Sequence, residues 1–177
     1  MKRKILFFAG LSVLIILVGL PLSLKQNWSQ FSNRNKSHPV LTDTLSLATV
    51  FNEFGSMSLQ VLIVDSARLM FRFTPNTCSC LESDFTESVN RSINAIGESK
   101  ILVVVAAENT KDILLFRKRT KLSCPIYGTS DTLLASFDTN ETPYACLVFP
   151  DRIARNIITI PSDNIDEFLS YAKKIIH

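Results

Sequence analysis

Short runs of β-branched and aromatic residues, bounded by turn-forming residues, predict the strands of this chain. They cover residues 60–64, 69–73, 101–106, 144–149 and 153–160. The run 101–106 is apolar throughout, which is typical of a strand that is buried on both faces in a parallel sheet. Pro150, Asp151 and Arg152 separate the last two runs, so these two strands are expected to pair antiparallel. Residues 45–54 fit either a strand or a short helix.

Apolar residues at every third or fourth position predict helices. The first of these patterns starts at Leu81 and stops before Gly97, because glycine commonly follows the last residue of a helix. The second spans residues 110–119. The third follows Asp163, whose side chain can cap it. A short helix is also expected near residues 131–135.

The first 24 residues have a different pattern, in which three basic residues precede a long apolar stretch. Lys2, Arg3 and Lys4 are followed by residues 5–24, which are long enough to cross a bilayer core of about 30 Å as a helix. A cleaved signal peptide has a shorter apolar core and a small-residue cleavage site, and this stretch ends without a good one. We therefore favour an uncleaved transmembrane anchor over a signal segment for residues 1–24.

The rest of the chain divides into a linker and one domain. Residues 25–43 are polar, rich in Asn and Ser, and lack apolar periodicity, so we expect a tether. Residues 44–177 are long enough for a single globular domain. Basic residues before an apolar stretch hold the N-terminus in the cytoplasm. This arrangement predicts a single-pass protein of the cell membrane, with its domain on the extracytoplasmic, periplasmic side.

The charge of the chain argues against a nucleic-acid partner. The net charge is +3, but from Asp43 onward there are 13 basic and 16 acidic residues. The folded part therefore lacks the basic surface that nucleic-acid binding requires. The basic run 117–121 is an exception, and we interpret it as a group of cations at the C-terminal end of a helix.

Two thiols lie where the strand 69–73 gives way to a helix. These are Cys78 and Cys80, and the helical pattern starts at Leu81. A helix N-terminus stabilises a thiolate through its unpaired N–H groups and its dipole, and the thiolate is the reactive form of cysteine. The position therefore predicts redox chemistry. Because the earlier cysteine precedes the first helical turn, Cys78 is expected to be the more exposed nucleophile and Cys80 the resolving thiol.

The order of elements and motifs resembles that of a thioredoxin fold. About two thirds of the chain is similar to the membrane-anchored, extracytoplasmic thioredoxin-like proteins of bacteria, the TlpA/ResA group. The resemblance rests on the strand that ends at Phe73 before Cys78 and Cys80, on Thr142 and Pro143 before the next strand, and on the closing hairpin and helix. It implies an α/β fold with a central mixed sheet flanked by helices, preceded by one N-terminal transmembrane helix.

The resemblance also implies a function, which is thiol-disulfide exchange on protein disulfides. In that group the first cysteine attacks a substrate disulfide and the second resolves the mixed disulfide, and these roles fall here to Cys78 and Cys80. Thr142 and Pro143 would bind the substrate backbone, with a cis bond before Pro143. The partners would be protein disulfide or dithiol substrates and a redox donor, and no cofactor is implied.

Three positions depart from the family pattern. Thioredoxins often carry a buried acid six residues before the first cysteine, where this chain has Arg72, and a tryptophan directly before it, where this chain has Thr77. If Arg72 faces Cys78, it lowers the pKa of that thiol by stabilising the thiolate; the alternative is that it points away. Only Ser79 separates the thiols, so a disulfide between them closes a very small ring.

The two remaining cysteines lie on extended segments. We interpret Cys124 and Cys146 as small buried apolar residues. A structural disulfide between them is the alternative, and it requires Cα atoms within about 7 Å of each other.

Two other classes of function stay open. One is a redox-inactive thioredoxin-like binding module anchored to the membrane, because a fold does not fix an activity. The other is a copper-handling thiol protein, because thiolates are soft ligands that suit Cu(I). The chain has only His38 and His177, one in the tether and one at the terminus. No metal site is therefore predicted, and no histidine is placed to act as the base of a hydrolase.

Overall fold

The computed structural model describes residues 41–74, 77–140 and 142–177, which belong to one compact unit. Its strands are β1 (Thr42–Thr44), β2 (Thr49–Asn52), β3 (Gly55–Ser58), β4 (Arg68–Phe73), β5 (Ile101–Ala106), β6 (Ile126–Thr129), β7 (Tyr144–Val148) and β8 (Ile153–Thr159). Its α-helices are α1 (Leu59–Ile63), α2 (Glu82–Ile96), α3 (Thr110–Thr120), α4 (Ala135–Asp138) and α5 (Ile165–Ile176).

The strands form one mixed, 8-stranded sheet in the order β1-β8-β7-β4-β5-β6-β2-β3. Strands β4, β5 and β6 are parallel, whereas β7 is antiparallel to both β4 and β8. This confirms the predicted mixed sheet, the buried parallel strand at residues 101–106 and the antiparallel closing pair. Because of these directions, the carboxyl ends of β4 and β5 and the amino end of β7 meet at the same end of the sheet.

Hydrophobic cores lie on both faces of the sheet. Side chains alternate along a strand, so Phe71 and Phe73 of β4 belong to the core that contains α2 and α3, whereas Met70 belongs to the core on the opposite face. On the first face, Phe71 meets Phe85 of α2 edge to face, with ring centroids 5.9 Å apart. This packing holds α2 against the sheet and so positions the start of the helix that follows the cysteines.

The long helices agree with their predicted patterns. Helix α2 ends at Ile96 and is followed by Gly97, whose positive φ of 100° favours glycine. Helix α3 begins at Asn109, which caps it with its side chain. Helix α5 begins after Asn164 instead of Asp163, so the predicted cap is wrong by one residue.

The predicted strand at residues 60–64 is wrong, because residues 60–63 belong to helix α1 and Val64 follows its last residue. Ser58 caps this helix, since its Oγ accepts the Gln60 N–H at 3.3 Å. Leu59 and Ile63, which are one helical turn apart, are both buried. A short apolar run does not by itself distinguish a helix from a strand, and here the cap and the burial of one helical face favour the helix.

The N-terminal part of the domain adds strands to both sides of the sheet. Strand β1 pairs with β8, so the sheet begins within the last residues of the predicted tether, 25–43. Residues 45–54 contribute β2, which pairs with β3 in a hairpin. The predicted anchor, residues 1–24, lies outside the described residues. Within residues 41–74, 77–140 and 142–177, no helix is long and apolar enough to span a membrane.

Candidate active site at the start of helix α2

Cys78 and Cys80 lie between β4 and α2. Residues Ser79–Leu81 form a single 3₁₀ turn that leads into α2. The two cysteines form a disulfide with their Cα atoms 5.2 Å apart, and both residues are exposed. The disulfide is therefore accessible to a second protein.

A backbone N–H group points at the sulfur of Cys78. The Cys80 N–H donates to Cys78 Sγ at 3.3 Å, and the Leu81 N–H donates to the Cys78 carbonyl oxygen at 3.0 Å. A hydrogen bond donated to sulfur favours its anionic form, and so does the start of a helix. These contacts favour Cys78 as the thiolate of the reduced pair.

Two threonines fix the loop before the cysteines. The hydroxyl oxygens of Thr74 and Thr77 are 2.7 Å apart, and the Thr77 N–H donates to the Thr74 carbonyl oxygen at 3.2 Å. The Thr74 hydroxyl also donates to the carbonyl oxygen of Asn140 at 3.2 Å. The cysteine loop is therefore tied to the segment that leads to Thr142 and Pro143.

The structure brings Thr142 and Pro143 to the same end of the sheet as the cysteine loop. Arg72 pairs with Tyr144 across β4 and β7, so Pro143 comes next to the last residue of β4, Phe73. Thr142 is half-buried and Pro143 is buried. The two motifs, which are far apart in the sequence, thus become neighbours through the pairing of their strands.

The peptide bond before Pro143 is not cis, which corrects the prediction. In the part of the chain that the structure describes, the cis peptide bond is Ile160–Pro161. Ile160 adjoins Pro143, since its N–H donates to the Pro143 carbonyl oxygen at 2.8 Å. The trans form has the lower free energy in most X-Pro bonds, and nothing in the sequence around Pro161 distinguished it from the other prolines.

Arg72 is buried on the face of the sheet away from α2, with 1% of its side chain exposed. Its Nη2 atom lies 3.5 Å from Asp138 Oδ2 and donates to the carbonyl oxygen of Asp131 at 3.2 Å. The Asp138 side chain is only 4% exposed, so the pair is shielded from water. These contacts assign Arg72 to a buried ion pair and give no support to its predicted tuning of Cys78.

Asp138 and Tyr144 complete this buried cluster, and neither was predicted as a site residue. The Tyr144 hydroxyl donates to Asp138 Oδ1 at 2.7 Å, and the Leu133 N–H donates to Asp138 Oδ2 at 2.6 Å. Burial raises the pKa of Tyr144 well above its usual value, and the nearby Cys146 and Asp138 add to this increase. The hydroxyl therefore stays protonated, and the carboxylate joins β4, β7 and the segment before α4.

Cys124 and Cys146 are both free and buried. Cys124 belongs to the core on the α2 face and Cys146 to the core on the opposite face, so the sheet separates them. The alternative of a structural disulfide between them is therefore wrong. Burial raises the pKa of Cys124 to about 11, and burial, with a contribution from Asp138, also raises the pKa of Cys146.

We predict that a thiolate reagent distinguishes the two pairs of cysteines. At about pH 8 the folded, oxidised chain should react at no cysteine, because burial keeps Cys124 and Cys146 protonated and covered. After reduction it should react at Cys78 and Cys80, and after unfolding at all four cysteines. Labelling with iodoacetamide followed by peptide mass spectrometry measures this, and labelling of Cys124 or Cys146 in the folded chain would contradict the prediction.

Two arginines at the C-terminal end of α3 pair with acidic residues outside that helix. Arg117 Nη1 lies 2.6 Å from Glu53 Oε1, and Arg119 binds both carboxylate oxygens of Glu82 at distances of 2.9 to 3.2 Å. This agrees with our interpretation of the basic run as cations at a helix end. Glu82 is the first residue of α2, where a free carboxylate would disfavour a nearby thiolate. Its pairing with Arg119 neutralises that charge.

The structure gives no candidate metal centre in the part of the chain that it describes. Within residues 41–74, 77–140 and 142–177, no three His, Cys, Asp or Glu side chains are grouped so that they could hold a metal ion. His38 lies outside these residues, and His177 is exposed at the C-terminus.

Comparisons with known proteins bear on the fold. No protein-family model matches the chain, and no curated protein matches it in sequence. Among solved structures, a putative electron transfer protein from Aquifex aeolicus is 16% identical, with a TM-score of 0.54 over 73% of this chain and 93% of that one. BsSco, a member of the Sco family of cytochrome c oxidase assembly proteins, is 13% identical, with a TM-score of 0.54 over 78% and 96%.

A third solved structure adds a protein named for its redox chemistry. The putative thiol:disulfide interchange protein DsbE from Chlorobium tepidum is 12% identical, with a TM-score of 0.50 over 74% of this chain and 95% of that one. At such identities the similarity establishes a shared fold and not a shared activity. The structural similarity covers most of each protein. It agrees with the order of strands and helices that we predicted from the sequence. The chain therefore has a thioredoxin-like fold.

Proposed function

We propose that this chain carries out thiol-disulfide exchange with protein substrates through Cys78 and Cys80. The observation that carries the proposal is the exposed Cys78–Cys80 disulfide at the start of α2, with the Cys80 N–H donated to Cys78 Sγ. Exchange needs an accessible sulfur whose thiolate is stabilised, and these contacts supply both conditions. The similarity in fold to the putative thiol:disulfide interchange protein DsbE of Chlorobium tepidum adds support.

The reduced chain would act as the reductant of a substrate disulfide. The Cys78 thiolate attacks one substrate sulfur, a bond forms between the two sulfurs, the substrate disulfide breaks, and the other substrate sulfur leaves as a thiolate. The Cys80 thiolate then attacks Cys78 Sγ, which releases the second substrate thiolate and forms the Cys78–Cys80 disulfide. One electron pair passes to the substrate, and the protons of the two protein thiols pass through solvent to its thiolates. The reverse sequence oxidises a substrate dithiol.

Neighbouring residues would support this chemistry without taking part in it. Arg119 neutralises the Glu82 carboxylate near the reacting sulfur. Thr142 and Pro143 begin a segment beside the cysteine loop, and we infer that their backbone binds the extended substrate chain. The hydrogen bond from the Thr74 hydroxyl to the Asn140 carbonyl oxygen holds this segment beside the cysteine loop.

We further propose that the domain works outside the cytoplasm, tethered to the cell membrane as a single-pass protein. The basic residues 2–4 and the apolar stretch 5–24 support this location. An exposed disulfide also suits an oxidising compartment. The partners would then be periplasmic protein disulfides or dithiols and a redox donor that returns the pair to its starting state.

Catalysed reduction of insulin tests the proposal. The full 177-residue chain should accelerate the reduction of insulin disulfides by dithiothreitol, because Cys78 offers a better stabilised thiolate than the small reagent does. The turbidity of the reduced product follows the reaction, and the rate should rise with the amount of chain. A rate equal to that of dithiothreitol alone would favour the redox-inactive binding module instead.

A further inference from the structure

A cavity of about 280 Å³ lies beside the residue that precedes Cys78. Thr74 and Thr77 of the cysteine loop form one wall, and α3 forms another. The apolar residues that line it are Phe73, Val105, Ala106, Leu115 and Phe116. The cavity therefore adjoins the surface that a substrate must touch when it reaches the disulfide.

The charged groups of the cavity already have hydrogen-bond partners. Asp112 Oδ2 accepts the N–H groups of Glu108 and Asn109 at 3.1 and 3.3 Å, in the cap of α3. Arg119 binds both carboxylate oxygens of Glu82. A carboxylate placed here would lose water and would find Arg119 already bound to Glu82, which is unfavourable. The cavity therefore disfavours an acidic occupant.

The chain does not fully cover the apolar part of the lining. The rings of Phe73 and Phe116 have centroids 5.2 Å apart, and Phe73 is only half-buried. Leu115 leaves 46% of its surface exposed. Covering such surface is favourable because it removes apolar area from water. This apolar part of the lining is therefore complementary to an apolar side chain.

We propose that this cavity receives a large apolar side chain that neighbours the reactive cysteine of an extended polypeptide substrate. The inference rests on the proposed function, because a mixed disulfide with Cys78 is what brings a substrate cysteine to this place. Thr77 adjoins Cys78 in the chain and also lines the cavity. Neighbouring residues of an extended chain are about 3.8 Å apart at their Cα atoms, so a residue beside the substrate cysteine is within reach. The substrate class is thus a polypeptide with leucine or a similar side chain beside its cysteine.

Two peptides that differ in one residue test this inference. Each carries one cysteine bonded to thionitrobenzoate, and the residue beside that cysteine is leucine in one peptide and serine in the other. The Cys78 thiolate of the reduced full-length chain attacks the peptide sulfur, and the thionitrobenzoate thiolate leaves and is measured by its absorbance. Cys80 then releases the peptide thiol. We expect a rate constant roughly tenfold higher for the leucine peptide, after correction by the rates of both peptides with dithiothreitol.

Leu115→Ser and Leu114→Ser form a matched pair of variants. Both leucines lie in α3 and are 46% and 49% exposed, and of the two it is Leu115 that lines the cavity. Leu115→Ser should reduce the preference to about twofold or less, whereas Leu114→Ser should keep it. Equal rates for the two peptides with the unchanged chain, or the same loss in both variants, would overturn the inference while exchange itself stands. If neither peptide reacts, the proposed function fails and this inference fails with it.

Discussion

Cys78→Ser should abolish the catalysed reduction of insulin, leaving only the rate of dithiothreitol alone. A serine hydroxyl offers no thiolate and cannot form the mixed disulfide. Cys80→Ser should behave differently, because Cys78 keeps its thiolate and the backbone N–H that is donated to it. When the reduced variant is mixed with insulin without dithiothreitol, the mixed disulfide forms but is not resolved within the chain, so a covalent complex should accumulate, which non-reducing electrophoresis detects.

Cys124→Ala is the matched control for these variants, because Cys124 is a free cysteine buried in the core. It should reduce insulin at the rate of the unchanged chain. Turnover that survives in Cys78→Ser would contradict the assignment of the nucleophile. An equal loss in Cys124→Ala would show that the assay responds to stability and not to the nucleophile.

Asp138→Ala should lower the free energy of unfolding by about 3 to 5 kcal/mol, as expected when one partner of a buried ion pair is removed. The change leaves the charge of Arg72 buried without its partner. It also removes the acceptor of the Tyr144 hydroxyl and the Leu133 N–H. Chemical denaturation of the oxidised chain, followed by circular dichroism, measures the difference.

An exposed ion pair gives the comparison for this prediction. Arg91 and Asp166 join α2 and α5 with side chains that are 42% and 78% exposed, so Arg91→Gln should change the free energy of unfolding by less than about 1 kcal/mol. The combined change of Arg72→Met and Asp138→Leu should destabilise the chain less than Asp138→Ala does, since no charge then stays buried. Equal effects of Asp138→Ala and Arg91→Gln would contradict the buried ion pair.

The parts of the fold that were predicted correctly are those with a long or uniform pattern. Strand β5 is apolar at every position and largely β-branched, which favours a strand, and α2 repeats its apolar residues over a long segment that ends before Gly97. Helix α1 was predicted as a strand because five residues are too few to establish a period. The burial of Leu59 and Ile63 on one face decides the outcome, and this burial depends on tertiary contacts.

The cysteines of the site were predictable because they are neighbours in the sequence, and Thr142 and Pro143 were predictable only from the resemblance to a known family. Cys78 and Cys80 could be placed from their position between a strand and a helix. The partner of Arg72 could not, because Asp138 lies in α4 and meets β4 only after the sheet has formed. The cavity beside Thr77 likewise depends on how α3 packs against the end of β5. Contacts of this kind join residues that are far apart in the sequence, so no local pattern predicts them.

The separation of Cys124 from Cys146 determines how many internal disulfides the folded domain can form. With the sheet between them, these two thiols cannot bond unless the domain unfolds. An excess of oxidant therefore has no route to a second internal crosslink, and the folded domain can cycle between only two disulfide states.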